Sequence, residues 1–250
     1  MINKIEKLLE LSKNTARIAL DRLTELDKQN KKNYSFDENI PREVKATADT
    51  IIEKVILEQL IPTGIDILSE EKGLLIGNNS SSLRFIIDPI DGTVNFVRGI
   101  LDCSVSIALY DKYNAIFGVI ASYPNGNIAW GGKNIGSFFG DSKLQVSTID
   151  DPKKGVLCTG FPSRFKFDSK SMLSQTHLMS KFGKTRMLGS ASQSLLQVAK
   201  GSVECYSEKD IMLWDVAAGI ALVEGAGGNV SITSEKGRES INVVASNGIV

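Results

Sequence analysis

The residue types with most chemistry to offer stand together in Asp88-Pro89-Ile90-Asp91-Gly92-Thr93-Val94-Asn95-Phe96. Two carboxylates and a hydroxyl are crowded there onto a tight bend. Arg84-Phe85-Ile86-Ile87 leads into it and reads as a buried strand. Pro89 lacks an N–H and fixes φ, so regular pairing is expected to end at it. Asp91-Gly92 is a turn signal, because glycine takes backbone angles that other residues resist. Two ionised carboxylates about 4 Å apart repel by roughly 4 kcal/mol at an effective dielectric of 20. A shared proton, a basic side chain or a metal ion must offset that repulsion. Arg84 and Arg98 are the basic residues nearby. A hard divalent cation with oxygen ligands is therefore the leading expectation. Asp-Gly taken alone would be an ordinary surface turn.

Other acidic residues sit where a scaffold can present them. Asp49 falls in the first turn of a helix, where it can also simply complement the helix N-terminus. Glu70 and Glu71 follow a buried strand directly. Asp215 follows Trp214 at the start of an almost wholly apolar helix. Glu208 reads as a residue of a polar turn after a strand, with plain exposure as its bland role. The rest of the composition narrows the chemistry. His177 is the one histidine, so a Ser-His-Asp triad lacks its motif and a histidine-rich metal site is ruled out. Cys103, Cys158 and Cys205 are far apart and form no C-x-x-C, so neither a disulfide framework nor a zinc–thiolate site is expected. Lysine plus arginine total 29 and aspartate plus glutamate total 29, so no global field draws in nucleic acid or an anionic membrane. No apolar run approaches the roughly 20 residues that span a bilayer. Met1 to Glu10 lacks the apolar core of a signal peptide, and a cytoplasmic location is expected.

The elements that must position these groups follow from periodicity. Ile2, Ile5, Leu9, Ala16, Ala19, Leu20, Leu23 and Leu26 predict a long amphipathic first helix. Asp27–Glu43 reads as a polar, mobile loop. A second helix starts near Ala46 or Thr47 and stops at Pro62 and Gly64. Strands are expected at Ile65–Leu68, Cys103–Tyr110, Ala115–Ala121 and Ile128–Trp130, which makes the first half an antiparallel sheet with two helices. Asp151–Gly155 is the candidate boundary, giving residues 1–150 and 151–250 as two halves of one compact unit. Beyond it, strand and helix alternate: Val156–Thr159, Ser169–Phe182, Thr185–Leu188, Ala191–Lys200 capped by Ser190, Val203–Tyr206, Trp214–Glu224, Asn229–Ile232 and Ile241–Ala245.

The nine-residue string resembles the DPxDGTxNF signature of the inositol monophosphatase family of metal-dependent phosphatases. Ser69-Glu70-Glu71-Lys72-Gly73 resembles its G-E-E segment, with Ser69 in place of the usual glycine. Trp214-Asp215-Val216-Ala217-Ala218-Gly219 and Glu224-Gly225-Ala226-Gly227-Gly228 resemble its W-D-x-A-A-G and E-A-G-G segments, with Gly225 intruding in the second. Gly189-Ser190-Ala191 resembles its G-[ST]-A turn. The resemblance implies a layered αβαβα sandwich of the α+β class, the sugar-phosphatase fold, with sheets between helix pairs. It implies two or three magnesium ions held by Glu70, Asp88, the Ile90 carbonyl, Asp91 and Asp215, with Asp88 bridging and Glu71 behind them. It implies Thr93, hydrogen-bonded to Asp49, as the pair that positions and deprotonates water, and the N–H groups of Gly92 and Thr93 as a phosphate cradle. Asp91, Gly189, Ser190, Ala191 and Glu208 would then line the site for the alcohol. Lys45 stands where the family often has a hydroxyl, and Arg98 reads as a surface charge; the roles of both stay open.

The activity so implied is hydrolysis of a phosphate monoester, with inositol 1-phosphate or a related polyol or sugar phosphate as substrate. The spacing of Glu208 before Asp215 and the Asn95-Phe96 ending resemble inositol-handling members. Fructose 1,6-bisphosphate, histidinol phosphate and 3′(2′),5′-bisphosphate nucleotides are the alternatives. A non-catalytic regulatory role in RNA metabolism on the same scaffold is the alternative of another class. A homodimer and inhibition by lithium are expected, with no nucleic-acid or membrane partner required. An aspartic protease would need Asp-Thr/Ser-Gly twice, and the Gly225–Gly228 run ends a helix where a dinucleotide site would begin one.

Overall fold

Leu9, Ala16, Ala19, Leu20, Leu23 and Leu26 are buried along one face of the first helix, and covering that face builds the outermost layer. The computed structural model describes residues 2–29, 33–36, 38, 44–79, 81–112, 114–234 and 240–250. In chain order the elements are α1 (Ile2–Lys28), β1 (Tyr34–Phe36), β2 (Val44–Ala46), α2 (Thr47–Leu60), β3 (Asp66–Ser69), β4 (Gly73–Leu75), β5 (Leu83–Asp91) and α3 (Thr93–Arg98). A run of strands follows: β6 (Cys103–Asp111), β7 (Asn114–Tyr123), β8 (Ile128–Gly132), β9 (Gly136–Phe139) and β10 (Ser142–Lys143). The chain then gives β11 (Val156–Cys158), α4 (Ser169–Met179), β12 (Lys184–Arg186), α5 (Ala191–Ala199), β13 (Cys205–Ile211), α6 (Leu213–Gly225), β14 (Asn229–Ser234) and β15 (Ile241–Ser246).

The layers are those expected. An eight-stranded sheet runs β10-β9-β8-β7-β6-β5-β3-β4, and a five-stranded sheet runs β12-β11-β13-β15-β14. Alternate residues of β5 and β6 divide between two cores. Phe85, Ile87, Val105, Ile107 and Leu109 pack with α1 and α2. Ile86, Ala108 and Tyr110 face inward and share a cluster with Leu195 of α5, Val216 of α6 and Val243 of β15. That inner cluster mixes residues from both sides of Asp151–Gly155. Helix α4 buries none of its residues.

Three expectations change. Tyr34–Phe36 lies inside the stretch read as a loop, yet it pairs with Val44–Ala46, and residues 30–32, 37 and 39–43 of that stretch lie outside the described residues. The first sheet is mixed, since β3 runs parallel to β5. Pairing also continues through Pro89. Asp88 faces Ser106 and Asp91 faces Ser104, so three steps along β5 oppose two along β6. This is a β-bulge, a place where a residue without an N–H is tolerated. The extra residue has a consequence for chemistry. Residues 88 and 91 of a regular strand would point to opposite faces, and the bulge turns both carboxylates the same way.

Helix α6 is buried from Val216 to Val223, as its apolar sequence requires. It sits against β7 so closely that a Cβ on Gly118 would lie 2.2 Å from the Ala218 carbonyl oxygen and 2.6 Å from its Cα. Gly225, the intruder in the sequence pattern, likewise faces Ser137 and the Gly132 carbonyl with no room for a side chain. The small residues of this helix thus set its depth, and its depth sets where Asp215 emerges. Gly118→Val is expected to lower stability by about 1–3 kcal/mol, the cost of an overpacked core, read as a lower midpoint in denaturant titration. An unchanged midpoint would contradict the close approach.

Candidate active site

Asp88, Asp91 and Asp215 each bring a carboxylate oxygen within 4.8 Å of the others. The first two come from the two ends of the bulge and are buried, and Asp215 comes from the first turn of α6. The Met212 N–H donates to Asp215 Oδ2 at 3.1 Å and fixes its orientation. Glu70, just beyond β3, lines the cleft beside Asp91 and Asp215. Burial is the main cause that lifts both Glu70 and Asp88 well above the usual carboxylate range, and repulsion from Asp215 and Asp49 adds to it.

Asp91 is anchored differently. Its carboxylate accepts from the Ser192 N–H at 2.8 Å, the Ala191 N–H at 3.2 Å and the hydroxyls of Ser190 and Ser192. Burial raises its pKa, and these donors hold it back. Among the described residues no ion pair reaches Asp88 or Asp91. Buried carboxylates gathered without a basic partner hold protons or a hard cation between them. Oxygen-only donors, few in number and rigidly held, suit magnesium or a cation like it. The donor set therefore fits the metal that the sequence resemblance implies.

Thr93 Oγ1 lies 3.0 Å from Asp49 Oδ1 and 3.0 Å from the Ile90 carbonyl oxygen, and shares its one proton between them. Asp49 is buried on α2, and its other oxygen accepts from the Ala46 N–H at 3.0 Å. So the capping role and the site role belong to one carboxylate. Burial pushes Asp49 up to about 7, against the pull of the Thr93 hydroxyl. Gly92 has φ 87, a left-handed conformation, and a Cβ there would meet the Asp102 carbonyl at 2.9 Å. Glycine alone lets α3 begin directly on the bulge, with the backbone of Gly92 and Thr93 in the cleft.

Glu70, Asp91, Gly92, Thr93 and Asp215 open into one cleft of about 560 Å³. Gly189, Ser190, Ala191 and Glu208 line it, as do Glu71 and Lys45. Arg98 is exposed and outside the lining. Phe161, Phe167 and Trp214 give the cleft apolar surface. Glu208 corrects the sequence reading. It lies within β13, paired with Val243, and not in an exposed turn. Tyr206 Oη donates to it at 3.0 Å, and burial pushes its carboxyl up to about 7. The β13 strand was expected to end at Tyr206 because Glu208-Lys209-Asp210 is too polar to read as strand. A bulge between Glu208 and Ile211, with Asp210 at φ 58, carries the strand on to the start of α6.

Two positioning residues were missed. Ser192 has no motif to mark it, yet it ties Asp91 to α5 and to Ser104 Oγ at 2.6 Å. Asn95 was read as a hint to substrate. Its Nδ2 donates to the Asp102 carbonyl at 2.6 Å and the Leu188 carbonyl at 2.7 Å, which fastens the Gly189–Ala191 wall to α3.

Comparison with known proteins agrees with this geometry. The sequence model of the inositol monophosphatase family matches residues 4–249. An inositol-1-monophosphatase of Caulobacter vibrioides is 31% identical over 208 residues, covering 80% of this chain and 81% of that protein. A fructose-1,6-bisphosphatase/inositol-1-monophosphatase of Thermococcus kodakarensis is 28% identical over 232 residues, or 92% of this chain and 85% of the relative. The crystal structure of extragenic suppressor protein suhB from Bartonella henselae superposes with a TM-score of 0.87 at 29% identity, over 97% of this chain and 95% of that one. A bulge that turns two aspartates one way, a third aspartate on a buried helix and a match from end to end lead to one conclusion: the chain belongs to the inositol monophosphatase family of phosphatases.

Proposed function

We propose that the protein hydrolyses the phosphate monoester of a polyhydroxylated alcohol, inositol 1-phosphate or a related sugar phosphate. The observation that carries this reading is one cleft lined by Asp91, Asp215, Thr93 and Glu208, with buried Asp88 completing the carboxylate cluster and buried Asp49 hydrogen-bonded to Thr93. Glu70, Asp88, the Ile90 carbonyl, Asp91 and Asp215 would hold two or three magnesium ions. When bound, such cations supply Lewis-acid chemistry, acidifying water and neutralising charge that develops on the phosphate and the departing alcohol.

The chain's own groups do the rest. Thr93 Oγ1 orients the attacking water and passes its proton towards Asp49, whose burial makes it a better base than an exposed aspartate. The water oxygen bonds to phosphorus, the bond from phosphorus to the alcohol oxygen breaks, the leaving oxygen takes a proton from solvent water, and Asp49 returns its own proton to solvent. Backbone N–H groups of Gly92 and Thr93 hold the phosphate oxygens. Glu208 and the Gly189–Ala191 wall accept and shape the hydroxyl-bearing part. No helix among the described residues is long and apolar enough to cross a membrane. A cytoplasmic homodimer fits this reading.

Phosphate release from inositol 1-phosphate, fructose 1,6-bisphosphate, histidinol phosphate and 3′-phosphoadenosine 5′-phosphate, with and without magnesium, tests it. Magnesium-dependent turnover of the first is expected, and Asp91→Asn should lower it by more than the roughly 100-fold that outer partners of a metal site cost. No turnover of any of the four would sink the reading and favour a regulatory role. Thr93→Val and Asp49→Asn should each lower kcat by about 10²–10⁴ while leaving substrate binding in place. A change confined to KM would remove Thr93 from proton transfer. Glu208→Gln should raise KM for the polyol about tenfold with kcat nearly unchanged, as expected when a charged hydrogen-bond acceptor worth about 1.5–3 kcal/mol is lost from uniform binding.

A further inference from the structure

We propose that Glu53 is a positioning residue for Glu70, acting through the Ser69 hydroxyl and the Lys72 backbone; the inference rests on the reading of Glu70 as a cation ligand. Glu53 lies one turn beyond Asp49 on α2 and is 1% exposed. Its Oε1 accepts the hydroxyl of Ser69 and the N–H of Lys72, the latter at 3.1 Å. Those two contacts bracket Glu70 and Glu71. The chain doubles back there from β3 into β4, with Ser69 opposite Gly73.

The turn needs such an anchor. Glu70 lies among the like charges of Asp215, Asp49 and Glu71, so its place has to be held by its own chain. The Ser69 hydroxyl and the Lys72 N–H fasten that chain to Glu53 on both sides of it. The position is otherwise an unfavourable place for a carboxylate. Ile52, Ile56 and Leu57 around it are buried, and Glu53 Oε2 has no hydrogen-bond partner among the described residues. Burying a polar group that is only partly bonded is costly, and an apolar side chain would avoid the cost. Ser69 belongs to the same device, since the glycine usual at its place would offer Glu53 no hydroxyl. One helix thus fixes the base at its first turn and a cation ligand at its second.

Titration of the metal-free protein with manganese(II) alone, followed by calorimetry, tests the assignment beside thermal melting of the same samples. Ser69→Ala and Glu53→Leu should each weaken manganese binding roughly tenfold, the loss typical of outer partners of a metal site. Glu53→Gln keeps an acceptor for both donors and should bind as the unmodified protein does. The double variant Glu53→Leu/Ser69→Ala should be no weaker than the weaker single one, because both act through one contact. Metal-free Ser69→Ala should melt close to the unmodified protein. Full-strength binding by Ser69→Ala, with binding lost in Asp91→Asn, would overturn the role of Glu53 and leave the ligand reading standing. Absence of manganese binding by the unmodified protein would overturn both.

Discussion

Like charges packed together away from water are the constraint on which this molecule turns. Asp49, Asp88 and Asp91 are buried, with Glu70 and Asp215 beside them; burial first, and repulsion among them second, raises the pKa of Glu70 and Asp88. At about 4 Å each such pair costs roughly 4 kcal/mol at an effective dielectric of 20. A fold that only had to be stable would scatter these groups over its surface. Under the proposed function a cation between them would turn the repulsion into binding and let an anionic phosphate approach.

Much of the scaffold can be understood as a means of holding that arrangement. Three of the carboxylates sit at helix N-termini. Asp49 is in the first turn of α2, Asp215 is in the first turn of α6, and Asp91 accepts the N–H groups that open α5. The N-terminal end of a helix favours negative charge by about 0.3–1 kcal/mol or more where it is partly buried. Three helices, α2 from the outer layer and α5 and α6 from the inner one, therefore point their positive ends at one place. The bulge in β5 supplies the fourth device by aiming Asp88 and Asp91 the same way. The close nesting of α6 on Gly118 fixes how far Asp215 reaches.

The cleft wall has a separate logic. Asn95 ties α3 to the carbonyl before Gly189, so the wall moves with the bulge that carries the cluster. Glu208 is held by Tyr206 from the same strand. The wall and the carboxylate cluster are thus joined through hydrogen bonds. Under the proposed function this coupling would let binding of the alcohol part serve the reacting bond.

The acidic cluster, the order of the helices and the layered class were legible in the sequence, because the chemistry is concentrated in short strings and the core in apolar patterns. Asp88, Asp91 and Thr93 lie within six residues, α1 declares itself by periodicity and α6 by its unbroken apolar run. Tertiary structure decided what depends on partners distant in the chain. Pro89 reads as a strand end until β6 is set beside it, because a bulge is a property of two strands. Glu208 reads as a loop residue until β15 pairs with it, since polar text yields to a ladder already formed. Ser192 and Glu53 carry no motif and Asn95's motif does not show its partners; their roles arise from contacts with residues 101, 16 and 93 positions away. Sequence determines which groups are available to a site; packing determines which of them face one another, because direction in space is set by the whole fold and by no local stretch of it.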